Sequence, residues 1–360
     1  MKKRKVLAVL LCAAMTAALA VGCGGSKGSD SSDKSSDSSS SSDDVITVGF
    51  SQVGAESDWR TANSQSMKDT FSKENGYDLI FDDAQQKQEN QITAIRNFIQ
   101  QEVDYILLAP VTETGWDTVL QEAKDADIPV IIVDRMVDVS DDSLYTAWVG
   151  SNFKLEGQKA MAWLDAYLEA KGRGDEEINL VDIQGTIGAS AQIGRTEGFD
   201  EAVEAHDNWT TLAQQSGEFT QAKGQEVMES ILKQSGDDID VVYCENDNEA
   251  FGAIDAIKAA GYEVGGEEGQ ILVMSFDTTN AGLTQTLSGE ITCDTECNPL
   301  HGPRVEEIIQ KLEAGEDVDK QAFVDEVAFA SDDTVTKVTI DGTDYDITPI
   351  TQEIIDGRAY

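Results

Sequence analysis

From Val45 onward, short runs of β-branched and apolar residues alternate with longer amphipathic stretches, and no other feature constrains the fold as much. The runs at 45–50, 78–81, 105–108, 130–133 and 145–149 form a first series; those at 178–183, 210–214, 241–244, 271–276 and 290–293 form a second. Helix-like stretches lie between them at 88–101, 116–126, 155–170, 192–205, 223–234 and 249–260. In the first of these, Ile92, Ile95 and Ile99 recur at i, i+3 and i+7, which predicts one inward stripe. Strands that are apolar along their whole length are buried on both faces, so the alternation predicts parallel sheets covered by helices on either side. A chain of 360 residues exceeds the usual reach of one core, and two series predict two doubly wound α/β lobes joined by a hinge. The expected lobes are 45–150 plus 298–325, and 151–297 plus 326–360.

Open parallel sheets bind ligands beyond the carboxyl ends of their strands. The residues just past each strand therefore form a candidate site without any motif. The first strand leads to Ser51 and then to Glu56, Trp59 and Arg60. The run 130–133 ends in Asp134-Arg135, and 178–183 leads through Gly185 and Gly188 to a helix carrying Arg195. The run 241–244 ends in Glu245-Asn246-Asp247, 271–276 ends in Asp277, and Glu296 comes after the last strand candidate. Carboxylates, Asn and Arg bond adjacent hydroxyls in pairs, and an aromatic ring such as Trp59 stacks on an apolar C–H face. The pattern suits a sugar. A monosaccharide held with micromolar affinity needs about −0.7 kcal/mol per heavy atom, which demands nearly complete enclosure between two lobes.

The excess of 68 Asp and Glu over 26 Lys and Arg gives a formal charge of −42, a field that repels a phosphate backbone and argues against nucleic-acid binding. The first residues read as an export signal rather than part of the fold. Lys2, Lys3, Arg4 and Lys5 precede an apolar stretch from Val6 to Val21, shorter than the roughly 20 residues a spanning helix needs. The stretch ends in Ala20-Val-Gly-Cys23, which resembles the lipobox of bacterial lipoproteins; this implies cleavage at 1–23, lipidation of Cys23 and anchoring to the outer face of the cell membrane. Residues 24–44 are rich in Ser and Asp and read as a disordered tether reaching on the order of 25 Å. Of the remaining cysteines, Cys293 and Cys297 lie roughly 13 Å apart if extended and cannot bridge each other, whereas a bridge from Cys244 to either stays open. No Cys/His spacing suggests zinc, and neither a cofactor nor a metal is expected.

From about Val45 to the C-terminus the chain resembles the ribose/galactose class of sugar-binding proteins that serve ABC importers, and within it the galactofuranose-binding subfamily. The resemblance rests on Ser51-Gln-Val-Gly-Ala-Glu-Ser-Asp-Trp-Arg60, Gln85-Gln-Lys-Gln-Glu-Asn-Gln91, Asp134-Arg135, Gln184-Gly-Thr-Ile-Gly-Ala-Ser190 and Gly224-Gln-Glu-Val-Met-Glu-Ser230. It implies a type I periplasmic-binding-protein fold, a monosaccharide ligand, an ABC permease as partner, and a monomer. It also implies ligand contacts from Ser51, Trp59, Arg60, Asp134, Arg135, Arg195, Phe219, Asn246 and Asp277. Two features depart from the pattern: Cys244-Glu245 before Asn246-Asp247, and Cys297 in the last hinge segment.

Other function classes find less support. A sensor partner docking to a chemoreceptor or sensor kinase would share the fold, and neighbouring permease genes would separate the two. An enzyme is disfavoured because His206 and His301 are the only histidines and neither sits in a triad or metal-like constellation. Gly185-Thr-Ile-Gly188 lacks the spacing and the Gly-Lys-Ser/Thr of a phosphate loop. A sugar-sensing repressor would carry a DNA-binding helix pair where this chain carries a signal.

Overall fold

The computed structural model describes residues 45–360. The export signal, Cys23 and the tether lie outside the described residues. Two sheets are built in chain order. The first holds β1 (Ile46–Gln52), β2 (Tyr77–Asp83), β3 (Tyr105–Leu108), β4 (Val130–Val133) and β5 (Ala147–Gly150). The second opens with β6 (Ile178–Gln184), β7 (Trp209–Ser216), β8 (Val241–Cys244), β9 (Leu272–Asp277) and β10 (Cys293–Glu296). The chain then returns to the first sheet for β11 (Gln321–Phe323) and ends in the second with β12 (Ala328–Ala330), β13 (Lys337–Ile340) and β14 (Thr343–Pro349).

The orders are β11-β5-β4-β3-β1-β2 and β13-β14-β12-β10-β9-β8-β6-β7. Every pairing in the first sheet is parallel, with Val48 opposite Tyr105 and Ile131 opposite Ala147. The second departs at one edge, where β12 runs antiparallel to β10 and β13–β14 is a hairpin. Strand order reverses between β1 and β3 in one sheet and between β6 and β8 in the other, the points where such sheets open a crevice. Both sheets are doubly wound. The first buries Phe50, Leu107 and Val133 on one face and Phe98, Ile106 and Ile132 on the other; the second buries Trp163 and Phe276 on one and Val242 and Ile254 on the other.

Strand β10 begins at Cys293, not at residue 290 as the apolar pattern suggested. The preceding helix, Asn280–Ser288, ends on Gly289 at φ 82°, so the next residues are spent leaving it. In the helix Gln88–Gln100 the buried stripe is Gln91, Ala94, Ile95 and Phe98, while Ile92 and Ile99 are only half-buried. Gln91 occupies the inner face because its amide donates to Ala109 O at 2.6 Å and its oxygen accepts from Val111 N at 2.9 Å, tying β3's exit to the helix. Cys244, Cys293 and Cys297 are all free and buried, so no bridge forms from Cys244. Among the described residues no helix is long and apolar enough to cross a membrane.

Candidate ligand-binding site

The carboxyl ends of both sheets face one cavity. Its wall takes Glu56, Ser57, Trp59 and Arg60 from the turn after β1 and the first turn of the helix Asp58–Thr70. Ser57 caps that helix, its Oγ accepting from Arg60 N at 3.1 Å, and so fixes how Trp59 and Arg60 enter the cavity. Asp134 and Arg135 come directly after β4. Their turn is close-packed: a Cβ on Gly150 would fall 2.2 Å from Asp134 O, so the neighbouring strand must carry glycine there. From the second sheet come Arg195 on the helix Ser190–Ala205, Phe219 after β7, Asn246 after β8 and Asp277 at the end of β9. Asn246 caps the next helix, its Oδ1 accepting from Glu249 N at 2.8 Å, while its Nδ2 donates to Phe219 O at 3.1 Å.

Asp134, Phe219 and Asp277 hold φ of 65°, 60° and 105°, a left-handed backbone that L-residues rarely adopt. Such strain persists where surrounding structure over-determines it, and it gathers at functional sites. Gly185 makes room for one of these residues, since a Cβ there would sit 1.9 Å from the Phe219 ring.

The polar half of the cavity is an array of alternating charge. Arg60 Nε donates to Glu56 Oε1 at 3.0 Å, and its Nη2 lies 2.8 Å from Asp134 Oδ2. Arg135 donates to Val111 O at 3.1 Å and lies 3.7 Å from Glu56 Oε1. Across the cavity Arg195 Nε donates to Glu156 Oε2 at 2.8 Å, Nη1 donates to Glu245 O, and Nη2 lies 3.6 Å from Asp277 Oδ1. Burial works against the Arg60 charge, but Asp134 and Glu56 outweigh it and hold the guanidinium above its usual pKa. Arg135 is pushed down to about 10 by burial and by Arg60, with Glu56 and Asp134 opposing. Burial raises Asp277 well above the carboxylate range despite Arg195. Glu56 Oε2 is buried without a hydrogen-bond donor, and Asp134 Oδ2 has only the ion pair with Arg60 Nη2 at 2.8 Å. Orphaned buried acceptors at a cavity wall favour a ligand that brings donors.

The other half is apolar. Trp59, Phe153, Ala189, Ala191, Phe219 and Cys297 pack as one cluster. Trp59 Nε1 donates to Cys297 O at 2.6 Å, and Arg60 and Arg135 lie 4.5 Å and 4.9 Å over the Trp59 and Phe219 rings. Contacts between residues just past strands of opposite sheets close the rim: Asp58 N donates to Asn248 Oδ1 at 3.0 Å, Glu113 N to Gly188 O at 2.9 Å, and Met136 N to Ser190 Oγ at 2.8 Å.

Most residues singled out from the sequence thus converge on one cavity, and two do not. Ser51 is fully buried within β1 behind the wall, because the strand runs on to Gln52 before the chain turns into the cavity. Glu296 points away from the cavity; Arg358 Nη1 and the Tyr360 hydroxyl bond its Oε1 at 2.6 Å and 2.8 Å. Wall residues that the strand ends do not reveal are Ser57, Phe153 and Ala191, together with Cys297, noted only as a departure. A serine just before a helical stretch is a legible cap signal. An alanine or phenylalanine at a helix start reads as core, and nothing in its neighbours says otherwise. Trp116 and Trp163 are core residues without exposure.

A family model described as a periplasmic binding protein domain matches residues 48–295. The chain is 45% identical to the galactofuranose-binding protein YtfQ of Escherichia coli (strain K12), over 72% of this chain and 79% of that one. It is 41% identical to a Mycobacterium smegmatis protein solved in complex with β-D-fucofuranose, with a TM-score of 0.75 over 80% of this chain and 92% of that one. The periplasmic binding protein component of the arabinose ABC transporter from Shewanella sp. ANA-3, bound to α- and β-L-arabinofuranose, is 42% identical, with a TM-score of 0.74 over 80% and 93% of the two chains. Two doubly wound sheets, a cavity between their carboxyl ends and these likenesses place the chain in the periplasmic binding protein family.

Proposed function

We propose that this protein is an extracytoplasmic solute-binding lipoprotein that captures an aldose in its furanose form, galactofuranose or a close relative, and delivers it to an ABC import permease. The observation that carries the reading is the division of one cavity into an array of arginines and carboxylates and a wall of Trp59, Phe153 and Phe219. A furanose presents the same division: hydroxyls that donate and accept at its rim, and C–H groups on its ring face. Donated hydroxyl protons would satisfy Glu56 Oε2 and Asp134 Oδ2. The lobes expected at 45–150 plus 298–325 and at 151–297 plus 326–360 would part to admit the sugar and close over it. The furanose preference draws on the relatives named for galactofuranose and solved with fucofuranose and arabinofuranose.

Calorimetric titration with methyl β-D-galactofuranoside, methyl β-D-galactopyranoside and L-arabinose tests the ligand class. Micromolar or tighter binding of the furanoside, with the pyranoside much weaker, is expected. Binding of neither glycoside, or preference for the pyranoside, sinks the reading. The lipid anchor rests on Ala20-Val-Gly-Cys23 and is tested apart: Cys23→Ser should release the protein into the medium, and its retention in the membrane fraction would count against anchoring.

A further inference from the structure

Three chain crossovers connect the two sheets, between β5 and β6, between β10 and β11, and between β11 and β12. One side chain from near each meets the others beside the cavity: Glu156 on the helix Phe153–Ala170 and Cys297 after β10, both buried, and the half-buried Glu326 between β11 and β12. We propose that Glu156, Cys297 and Glu326 bind a thiophilic divalent cation of the zinc class, which ties the three crossovers together.

The geometry carries the proposal. Sγ of Cys297 and one oxygen from each carboxylate lie within 4.8 Å of one another. Three atoms so spaced share a centre no more than about 2.8 Å from each, against about 2.3 Å for a zinc–thiolate and 2.0–2.2 Å for a zinc–carboxylate bond. Side-chain shifts of at most about 0.8 Å would complete the contacts. Glu156 is 1% exposed, and its Oε1 is buried without a partner. The nearby cations leave Glu156 Oε1 free: Arg195 Nε donates to the other oxygen of Glu156 at 2.8 Å, and Lys159 Nζ donates to the backbone oxygen of Glu326 at 2.8 Å. Ser151 Oγ, 2.7 Å from the Glu326 carboxylate and 3.4 Å from Cys297 Sγ, stands within reach as a neutral fourth donor.

Arg195 balances one of the two carboxylates; a bound dication supplies the charge that balances the second carboxylate and the sulfur, and it deprotonates a coordinating thiol. The ligands lie far apart in the chain, at 156, 297 and 326, and obey no spacing rule. That is why no metal motif is legible in the sequence.

The test uses the full chain, stripped of metal and reduced, with Co2+ and Zn2+ as probes. Co2+ should raise a thiolate-to-cobalt charge-transfer absorption at one equivalent, and Zn2+ should displace it. The band should vanish in Cys297→Ser and persist in Cys293→Ser and Cys23→Ser. Glu326→Gln, which keeps an oxygen to accept from Ser151 Oγ and from Asn298 N, 2.7 Å away, should weaken Zn2+ binding about ten- to a hundredfold by calorimetry. Near-UV circular dichroism identifies variants that fold, and Glu326→Gln decides the matter if Cys297→Ser does not. No band, a band that survives Cys297→Ser, or unchanged Zn2+ affinity in folded Glu326→Gln overturns the proposal; in the second case the cation sits on another thiol.

Discussion

Replacing Asp134 by asparagine separates a binding role from a packing role better than alanine would. Asp134 is 2% exposed and sits at φ 65°. Alanine there would add the cost of a left-handed backbone, about 1–2 kcal/mol, to any effect on the ligand. Asparagine tolerates that backbone and keeps the shape while removing the charge. The charge lies 2.8 Å from Arg60 Nη2, and both side chains are 3% exposed. Arg60 keeps its bond to Glu56, so the variant should fold with a lowered melting temperature. For the sugar the loss is that of a hydrogen bond to a charged acceptor, about 1.5–3 kcal/mol, or roughly ten- to a hundredfold in Kd. Calorimetry against wild type measures the second effect and scanning calorimetry the first. A Kd unchanged within about twofold beside a lower melting temperature would assign Asp134 to structure and refute the reasoning.

Other perturbations act through single contacts. Trp59→Ala should weaken sugar binding at least about tenfold, whereas Trp59→Phe, which keeps a ring but loses the 2.6 Å bond to Cys297 O, should cost about 1 kcal/mol of stability and less affinity; equal affinities for the two variants would deny the ring a stacking role. Gly185→Ala drives a methyl into the Phe219 ring and should destabilise by about 1–3 kcal/mol while displacing one cavity wall; an unchanged Kd would show that Phe219 is not a contact. The buried carboxylates Asp182, Glu245 and Glu249 set a pH dependence. Burial, with Glu245 and Glu249 adding, raises Asp182, and burial lifts Glu245 from 4.5 to about 8. The folded protein therefore holds protons that the unfolded chain releases. The stabilisation is complete below the ordinary carboxylate range and is lost as pH rises through about 8. Asp182→Asn, whose native Oδ1 is buried without a partner, should melt a few degrees above wild type at pH 8 and lose that advantage near pH 4; an advantage independent of pH would contradict the raised affinity of Asp182 for its proton.

Much of the fold was legible because its strands are apolar on both faces and four residues or longer, as at Tyr105–Leu108, Val130–Val133 and Val241–Cys244. The strands after the second crossover were not. Gln321–Phe323 and Ala328–Ala330 are three residues each, too short for a period to register, and the hairpin Lys337–Pro349 is polar and exposed at its tip. The helix Asp58–Thr70 escapes a search for apolar periodicity because its buried face carries Arg60, Asn63 and Ser64 as well as Trp59 and Met67; Asn63 faces Gln52, Pro299 and His301 instead of oil. Site residues with charge declared themselves at strand ends, whereas Phe153 and Ala191 did not. Ser51 and Glu296 show the limit of that rule. Side chains alternate along a strand, so a polar residue at a strand end can as readily face the interior: Ser51 is buried in the sheet, and Glu296 takes Arg358 and Tyr360 from the far end of the chain.

The proposed function requires one sugar to be held by residues of both sheets at once. A crystal structure of the protein grown with methyl β-D-galactofuranoside tests this most directly. The furanose ring is expected within the cavity, with hydroxyls in hydrogen-bond range of Asp134 and Arg60 on one side and of Arg195, Asn246 or Asp277 on the other, and a C–H face against Trp59 or Phe219. Sugar density outside this cavity, or contacting residues of only one sheet, would contradict it.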